Sequence, residues 1–289
     1  MSDGYSIWVL EYSHVLEYAE SGIVYGQHNK GTRKMPYGYV FLKGNGRNIM
    51  VDVGFDNSAY GGELAGQFGV VAWQSPTTVL AEIGVSPEDI DTVIVTHAHF
   101  DHFGNVSAFP NATFYLQERE LTKWVWALTL PREQQFFTIG IDPDDVLRAV
   151  ELAKNGRLRT LSGDVHDLLP GINVWAAYDT HTFGCMFVDV QAGDDEDTRF
   201  VLAGDNVYAY ENIEGVDKDG VIRPVGLSIN TANGVFSIAQ MIDLVGGRIK
   251  QIIPVHENRL PDVYPSRETK HGLHVTEVHL AKGDASYVV

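Results

Sequence analysis

The sequence predicts an α+β fold in which a β-sandwich carries helices on its outer faces. Two patterns predict it: β-rich runs at both ends of the reading enclose mainly helical segments, and a last helix–strand pair closes the series. A third observation is that no stretch is rich enough in Pro, Gly or Ser to serve as a linker. Residues 37–43 and 48–53 are β-rich runs around Gly44-Asn45-Gly46, a hairpin signal. Ser75-Pro76 then opens a helix. Serine suits the cap and proline the first helical position, and Val79, Leu80 and Ile83 share a face before Gly84 stops it. Ser86 to Ile90 is a short helical turn leading into Thr92-Val93-Ile94-Val95-Thr96, a continuous run suited to a strand buried on both faces.

Residues 117–126 and 143–153 read as helices, the second capped by Asp142. The aromatic cluster Trp124, Trp126, Phe136 and Phe137 lies in this region, with two readings open: core or interface packing, or a lid over an apolar substrate. Strands are expected again at 174–177, 186–190 and 200–203, a helix at 235–245 and a strand at 251–254. Gly193-Asp194-Asp195-Glu196-Asp197 reads as a solvated turn between two strands. Residues 60–73 and 121–141 are expected to supply variable, pocket-lining loops, and the histidines at 271, 274 and 279 to lie partly on an edge strand.

Composition excludes several classes. The formal net charge of −17 argues against a nucleic-acid partner, because phosphate recognition needs Lys and Arg to replace condensed counterions. No run approaches the roughly twenty apolar residues of a membrane span, and the first residues lack the basic and apolar parts of a signal peptide. One cysteine, Cys185, permits no intrachain disulfide and reads as a small buried residue. A cytoplasmic location is expected. Oligomeric state is open, with a homo-oligomer among the options.

The chemistry is concentrated after the strand that ends at Thr96. Three of the eleven histidines fall within six residues, in His97-Ala98-His99-Phe100-Asp101-His102. Alternating positions in a loop after a buried strand converge, so His97 and His99 can grip one cation while Asp101 and His102 turn toward another. Imidazole nitrogens and carboxylate oxygens are the ligands that catalytic Zn²⁺ takes, and they also accept Mn²⁺, Fe²⁺ or Co²⁺. His181, Asp205 and His256 each follow an apolar strand, where loops carry function on a rigid scaffold. Taken singly each is as consistent with a structural polar residue as with a ligand. As a set they bring the count to seven, enough for two divalent metal ions if one carboxylate bridges.

His97 to His102 matches the H-x-H-x-D-H signature of metallo-β-lactamase-fold hydrolases, and His181, Asp205 and His256 follow in that family's order. Val51-Asp52-Val53-Gly54 is similar to the acidic turn upstream of the signature. The resemblance runs from about Tyr37 to His256. It implies a four-layer αβ/βα sandwich built as one domain over residues 1–289. Within the superfamily the chain most resembles the N-acyl homoserine lactonases, through Gly204-Asp205-Asn206-Val207-Tyr208-Ala209-Tyr210-Glu211-Asn212. Those enzymes place a tyrosine three residues after the bridging aspartate, the position of Tyr208. Two departures bear on the substrate: Thr182-Phe183-Gly184-Cys185 replaces a Pro-Gly-His setting, and Val53 stands where threonine is common.

The resemblance implies that His97, His99 and His181 hold the first metal. Asp101, His102 and His256 hold the second, Asp205 bridges, and Asp52 orients an imidazole from behind. A hydroxide bridging the two cations would attack the carbonyl of a small-molecule lactone or related ester. Tyr208 would stabilise the oxyanion and Asp101 would carry the proton. Alternatives on the same site are hydrolysis of an aryl ether, xenobiotic ester or thioester. A glyoxalase II type would add a helical, basic C-terminal domain, and a flavodiiron type would put glutamate at His99. A non-catalytic binding member is disfavoured because all seven ligands are present.

Overall fold

The structure, a computed structural model, describes residues 4–288. Its strands are β1 Tyr5–Ala19, β2 Thr32–Gly44, β3 Arg47–Val51, β4 Val70–Val71, β5 Thr92–Ile94, β6 Thr113–Gln117 and β7 Leu158–Leu161. The remainder are β8 Val165–Leu169, β9 Ile172–Ala176, β10 Met186–Gln191, β11 Arg199–Leu202, β12 Ile252–Ile253, β13 Ser266–Glu268 and β14 His274–His279. They form two sheets. The larger has the order β13-β14-β1-β2-β3-β5-β6-β7, with β4 beside β1, and the smaller the order β12-β11-β10-β9-β8. β3, β5, β6 and β7 run parallel, and β11 is parallel to β12; the other pairs are antiparallel.

Alternation along each strand explains the layers. In β1, Ile7 and Val9 point between the sheets, where they join Val40, Leu42 and Ile94 opposite Val174, Val188 and Val201. Trp8 and Leu10 point the other way, into a second core with Phe41, Val93, Leu80, Trp124 and Val146. The helices Pro76–Ala81, Glu118–Ala127 and Pro143–Lys154 cover that outer face. Thr231–Leu244 covers the smaller sheet through Ile238 and Met241. This is the four-layer α+β sandwich expected, with both faces of the central strands buried.

Local signals act as read. Ser75 accepts a hydrogen bond from Thr78 N, and Asp142 from Asp144 N, so both helices start where their caps stand. The helix expected from residue 235 begins at Thr231, because Asn230 caps it through Ala232 N and Asn233 N. Three expectations are corrected. Residues 60–73 are not a loop: Ala59–Phe68 is helical and ends at Gly69 in the left-handed region. Residues 121–141 are likewise the end of a helix and a 3₁₀ segment, Arg132–Thr138. β14 is not an edge, since β1 pairs along one side and β13 along the other. β1, a strand for which the sequence carries no clear local signal, lies inside the larger sheet between β14 and β2.

Candidate metal centre

Seven side chains from both sheets meet at one end of the sandwich. β5 ends at Ile94, and the chain continues through Thr96 into the loop of His97 and His99. His99 then caps the short helix Phe100–Phe103, which presents Asp101 and His102. His181 follows β9, Asp205 follows β11 and His256 follows β12. All seven are buried. Gly204 makes the Asp205 turn feasible: its φ is +52°, and a Cβ there would lie 2.8 Å from the Thr96 side chain.

Potential ligand atoms fall into two groups, each with its atoms within 4.8 Å of one another: His97, His99, His181 and Asp205; and Asp101, His102, Asp205 and His256. Asp205 belongs to both. Its Oδ2 is 3.5 Å from His97 Nε2 and 3.2 Å from His181 Nε2, while Oδ1 is 3.1 Å from both His102 Nε2 and His256 Nε2. In the first group, His99 Nδ1 lies 3.2 Å from His97 Nε2 and 2.9 Å from His181 Nε2.

The far nitrogen of four imidazoles is held by the protein, which orients each ring with Nε2 toward the centre. His181 Nδ1 donates to Leu227 O at 2.6 Å and His256 Nδ1 to Pro36 O at 2.7 Å. His102 Nδ1 donates to Asp52 Oδ2 at 2.8 Å, and His97 Nδ1 to Thr96 Oγ1 at 3.1 Å. Thr96 Oγ1 in turn donates to Asp52 Oδ2 at 2.8 Å, while Thr96 N donates to Oδ1 at 2.7 Å. Asp52 therefore stands directly behind His102 and, through Thr96, behind His97, where a single imidazole was expected; its left-handed φ of +64° is one that aspartate tolerates.

The electrostatics suit a cation among these atoms. His102 Nε2, His256 Nε2 and Asp205 Oδ1 are buried with no hydrogen-bond partner, an arrangement that costs free energy unless something occupies the space between them. Among the described residues no Lys or Arg pairs with Asp101 or Asp205. Burial, with His102 adding to it, holds His97 well below the usual imidazole range. Burial and His181 lower His99 to about 3. These two are neutral and ligand-competent at neutral pH. At His102 burial opposes protonation but Asp205, Asp101 and Asp52 outweigh it. At Asp205 burial is likewise outweighed, by His102, His256 and His97, so the carboxylate stays ionised. The donor set and geometry fit two divalent cations.

Tyr208 sits beside this centre, its ring 4.9 Å from that of His256 and 5.7 Å from that of His181. Asn212 holds its loop by accepting from Tyr208 N and Ala209 N. Burial, followed by Asp205, raises the phenol well above its ordinary range, so it remains a donor. Next to His99 and His181 opens a cavity of about 250 Å³ walled by Trp124, Phe136, Phe137, Ile139, Leu227 and Ile229. A larger hollow of about 500 Å³, lined by Gly4, Ala192 and Lys282 among others, contains none of the seven ligand candidates. The aromatic cluster divides between its two readings: Trp124 is 1% exposed and packs in the core, whereas Phe136 is 70% exposed at the cavity rim. Cys185 is fully buried and burial pushes its thiol up, so it is no nucleophile.

Sequence reasoning missed Glu120. This buried carboxylate accepts four hydrogen bonds, from Ala98 N, Trp124 Nε1, Thr182 Oγ1 and Gly184 N. Burial raises its pKa although all four donors oppose the shift. It also missed Tyr12 of β1, which donates to Asp101 O at 2.7 Å.

The Metallo-beta-lactamase superfamily profile matches residues 36–234. The chain belongs to this superfamily. A 41-residue stretch is 54% identical to "Probable metallo-hydrolase MJ0296" of Methanocaldococcus jannaschii, covering 14% of this chain and 20% of that relative. A 38-residue stretch is 45% identical to the "N-acyl homoserine lactonase AttM" of Azorhizobium caulinodans, covering 13% and 14%. Only a fifth or less of either relative's length is therefore matched. Among solved structures, an AiiA variant from B. thuringiensis with N-decanoyl-L-homoserine at its active site superposes with a TM-score of 0.67 at 18% identity, over 90% of this chain and 96% of that one. The dizinc quorum-quenching lactonase AidC, in complex with a product, gives 0.64 at 16% identity over 98% and 96%. At such identities the likeness establishes a shared metallo-β-lactamase fold.

Proposed function

We propose that this metallo-β-lactamase-fold chain is a dinuclear metal-dependent hydrolase that opens a lactone or related carboxylic ester of a small molecule. The observation that carries this reading is Asp205, buried between two ligand groups, with one oxygen toward each. His97, His99 and His181 would hold the first cation, and Asp101, His102 and His256 the second, most suitably Zn²⁺, with Mn²⁺ or Fe²⁺ accepted by the same donors. Bound there, the pair supplies Lewis acidity and brings the pKa of a water toward neutrality.

The remaining work falls to side chains. Asp101 lies 3.5 Å from His102 Nε2 and keeps its pKa low, because His102 and His256 outweigh the effect of burial. It is thus an available base that takes the proton of the attacking water and returns it to the departing alcohol oxygen. Tyr208, protonated and with its ring beside those of His181 and His256, donates to the carbonyl oxygen as negative charge develops on it. The apolar cavity beside His99 and His181 binds the uncharged part of the substrate and excludes water from it. The aromatic walls Trp124, Phe136 and Phe137 also favour an aryl ester as a second substrate class. A single buried thiol suits the cytoplasm, where we place the protein.

The test is metal content together with hydrolysis of an N-acyl homoserine lactone and of an aryl ester, before and after chelation. The expected result is about two transition-metal equivalents per chain and turnover that disappears with chelator and returns with Zn²⁺ or Mn²⁺. Purified protein without metal, or turnover indifferent to chelation, would overturn the reading.

A further inference from the structure

Glu120 lies in the first turn of the helix Glu118–Ala127, yet it is completely buried. Its Oε1 accepts from Ala98 N at 2.9 Å and from Trp124 Nε1 at 2.8 Å. Its Oε2 accepts from Thr182 Oγ1 at 2.9 Å and from Gly184 N at 2.6 Å. Ala98 is the residue between His97 and His99, and Thr182 and Gly184 follow His181 by one and three positions. One carboxylate thus pins the backbone that carries all three histidines of the first group. Asp101 and His102 stand on the short helix Phe100–Phe103 that follows, and none of the four bonds is made to that helix or to the loop of His256. A Cβ at Gly184 would come within 2.2 Å of Glu120 N, so the His181 loop and the helix are already in the closest contact that backbones allow. The fourth donor, Trp124, lies against His99 with ring centroids 5.8 Å apart and forms a wall of the cavity.

We propose that Glu120 is a positioning residue that sets the spacing of His97, His99 and His181 and locks the aromatic wall of the substrate cavity to them. The role rests on the dinuclear reading above, and it makes a claim that reading does not: the two halves of the centre respond separately to this side chain. A structural filler would not behave so. Three of the four donors are fixed N–H groups, so an amide cannot satisfy them. Whichever way the amide of Glu120→Gln is turned, its NH₂ faces Gly184 N–H or the pair Ala98 N–H and Trp124 Nε1–H, and at least one main-chain loop is pushed away.

The experiment compares wild type, Glu120→Gln and Leu80→Ala as zinc-loaded proteins dialysed against graded chelator, with metal equivalents and melting temperature read together. Leu80 is a fully buried core residue outside the four-donor network, so its truncation reports general destabilisation. In Glu120→Gln the first equivalent should weaken by about 10–100-fold while the second stays within about threefold, the loss typical of removing a group that supports a metal ligand. Leu80→Ala should lower the melting temperature without that split. Two unchanged affinities in Glu120→Gln, or parallel weakening of both as in Leu80→Ala, would overturn the positioning role while leaving the dinuclear reading standing. Wild type that holds no metal refutes both at once. Should Glu120→Gln fail to fold, Thr182→Val removes one hydroxyl donor and carries the same test: selective weakening of the first equivalent supports the role, and two unchanged affinities refute it.

Discussion

Replacing Asp52 by asparagine keeps the side chain's size and its tolerance of a left-handed backbone, but reverses the polarity at one end. In the native arrangement Oδ1 accepts from Thr96 N at 2.7 Å, and Oδ2 accepts from Thr96 Oγ1 and His102 Nδ1, each at 2.8 Å. The Thr96 amide is a fixed donor, so the asparagine oxygen stays there and its NH₂ turns toward His102. Nδ1 of His102 can then only accept, which moves the imidazole proton to Nε2, the atom that points at Asp205 and at the second metal position. A proton there abolishes ligation unless the ring pays for the less favoured tautomer. Losing a hydrogen bond to a charged partner is worth about 1.5–3 kcal/mol, and each 1.4 kcal/mol is tenfold in affinity. The second equivalent should therefore weaken by about 10–100-fold. The first should change less, because His97 reaches Asp52 only through the rotatable Thr96 hydroxyl. Isothermal titration of the metal-free variant with Zn²⁺ measures both. An Asp52→Asn protein that folds and binds both equivalents as tightly as wild type would refute the tautomer argument.

Two further outcomes are expected. Tyr208→Phe should lower kcat for lactone opening by about 10²–10³ with little change in KM or metal content, the usual cost of removing one oxyanion donor. A matching loss of metal would instead mean that the hydroxyl supports the metal centre rather than the substrate carbonyl. Asp145 is buried, with one oxygen paired to Arg148 and the other unpartnered, and burial followed by Asp142 raises its pKa to about 7. The native state then binds more protons than the unfolded chain between about pH 4 and 7, so this group makes stability fall as pH rises through that window. Asp145→Asn should flatten the slope and raise stability at pH 8 by about 1–3 kcal/mol, below the ceiling of about 4 that three pKa units allow. Urea unfolding at pH 5 and pH 8 checks it, and parallel slopes for the two proteins would refute it.

What was legible in the sequence follows from how local each cause is. The loop His97 to His102 could be read because polar ligand types stand directly after an apolar strand, a contrast visible within ten residues. Asp52 was legible only through the likeness of Val51-Asp52-Val53-Gly54 to the family's acidic turn. Glu120 was not: in Glu118-Arg119-Glu120-Leu121 it looks like any first-turn acid that favours a helix dipole from solvent. Only the approach of Ala98, 22 residues earlier, and Gly184, 64 residues later, buries it. The helix Ala59–Phe68 was obscured by Gly61, Gly62 and Gly66, whose low helical propensity is overridden by packing. The place of β14 between β1 and β13 depends on pairing across more than 260 residues, for which sequence offers no local signal.

Four of the seven candidate ligands hang from the larger sheet and three from the smaller, with Met186 N bonded to Thr96 O where the two meet. The centre is thus a clasp across a seam. Neither half-sandwich carries the whole ligand set of either metal position, so a complete site exists only where the halves have docked. Once made, it ties together two bodies that otherwise adhere largely through apolar contact. Stripping the clasp should loosen the seam before it unravels either sheet.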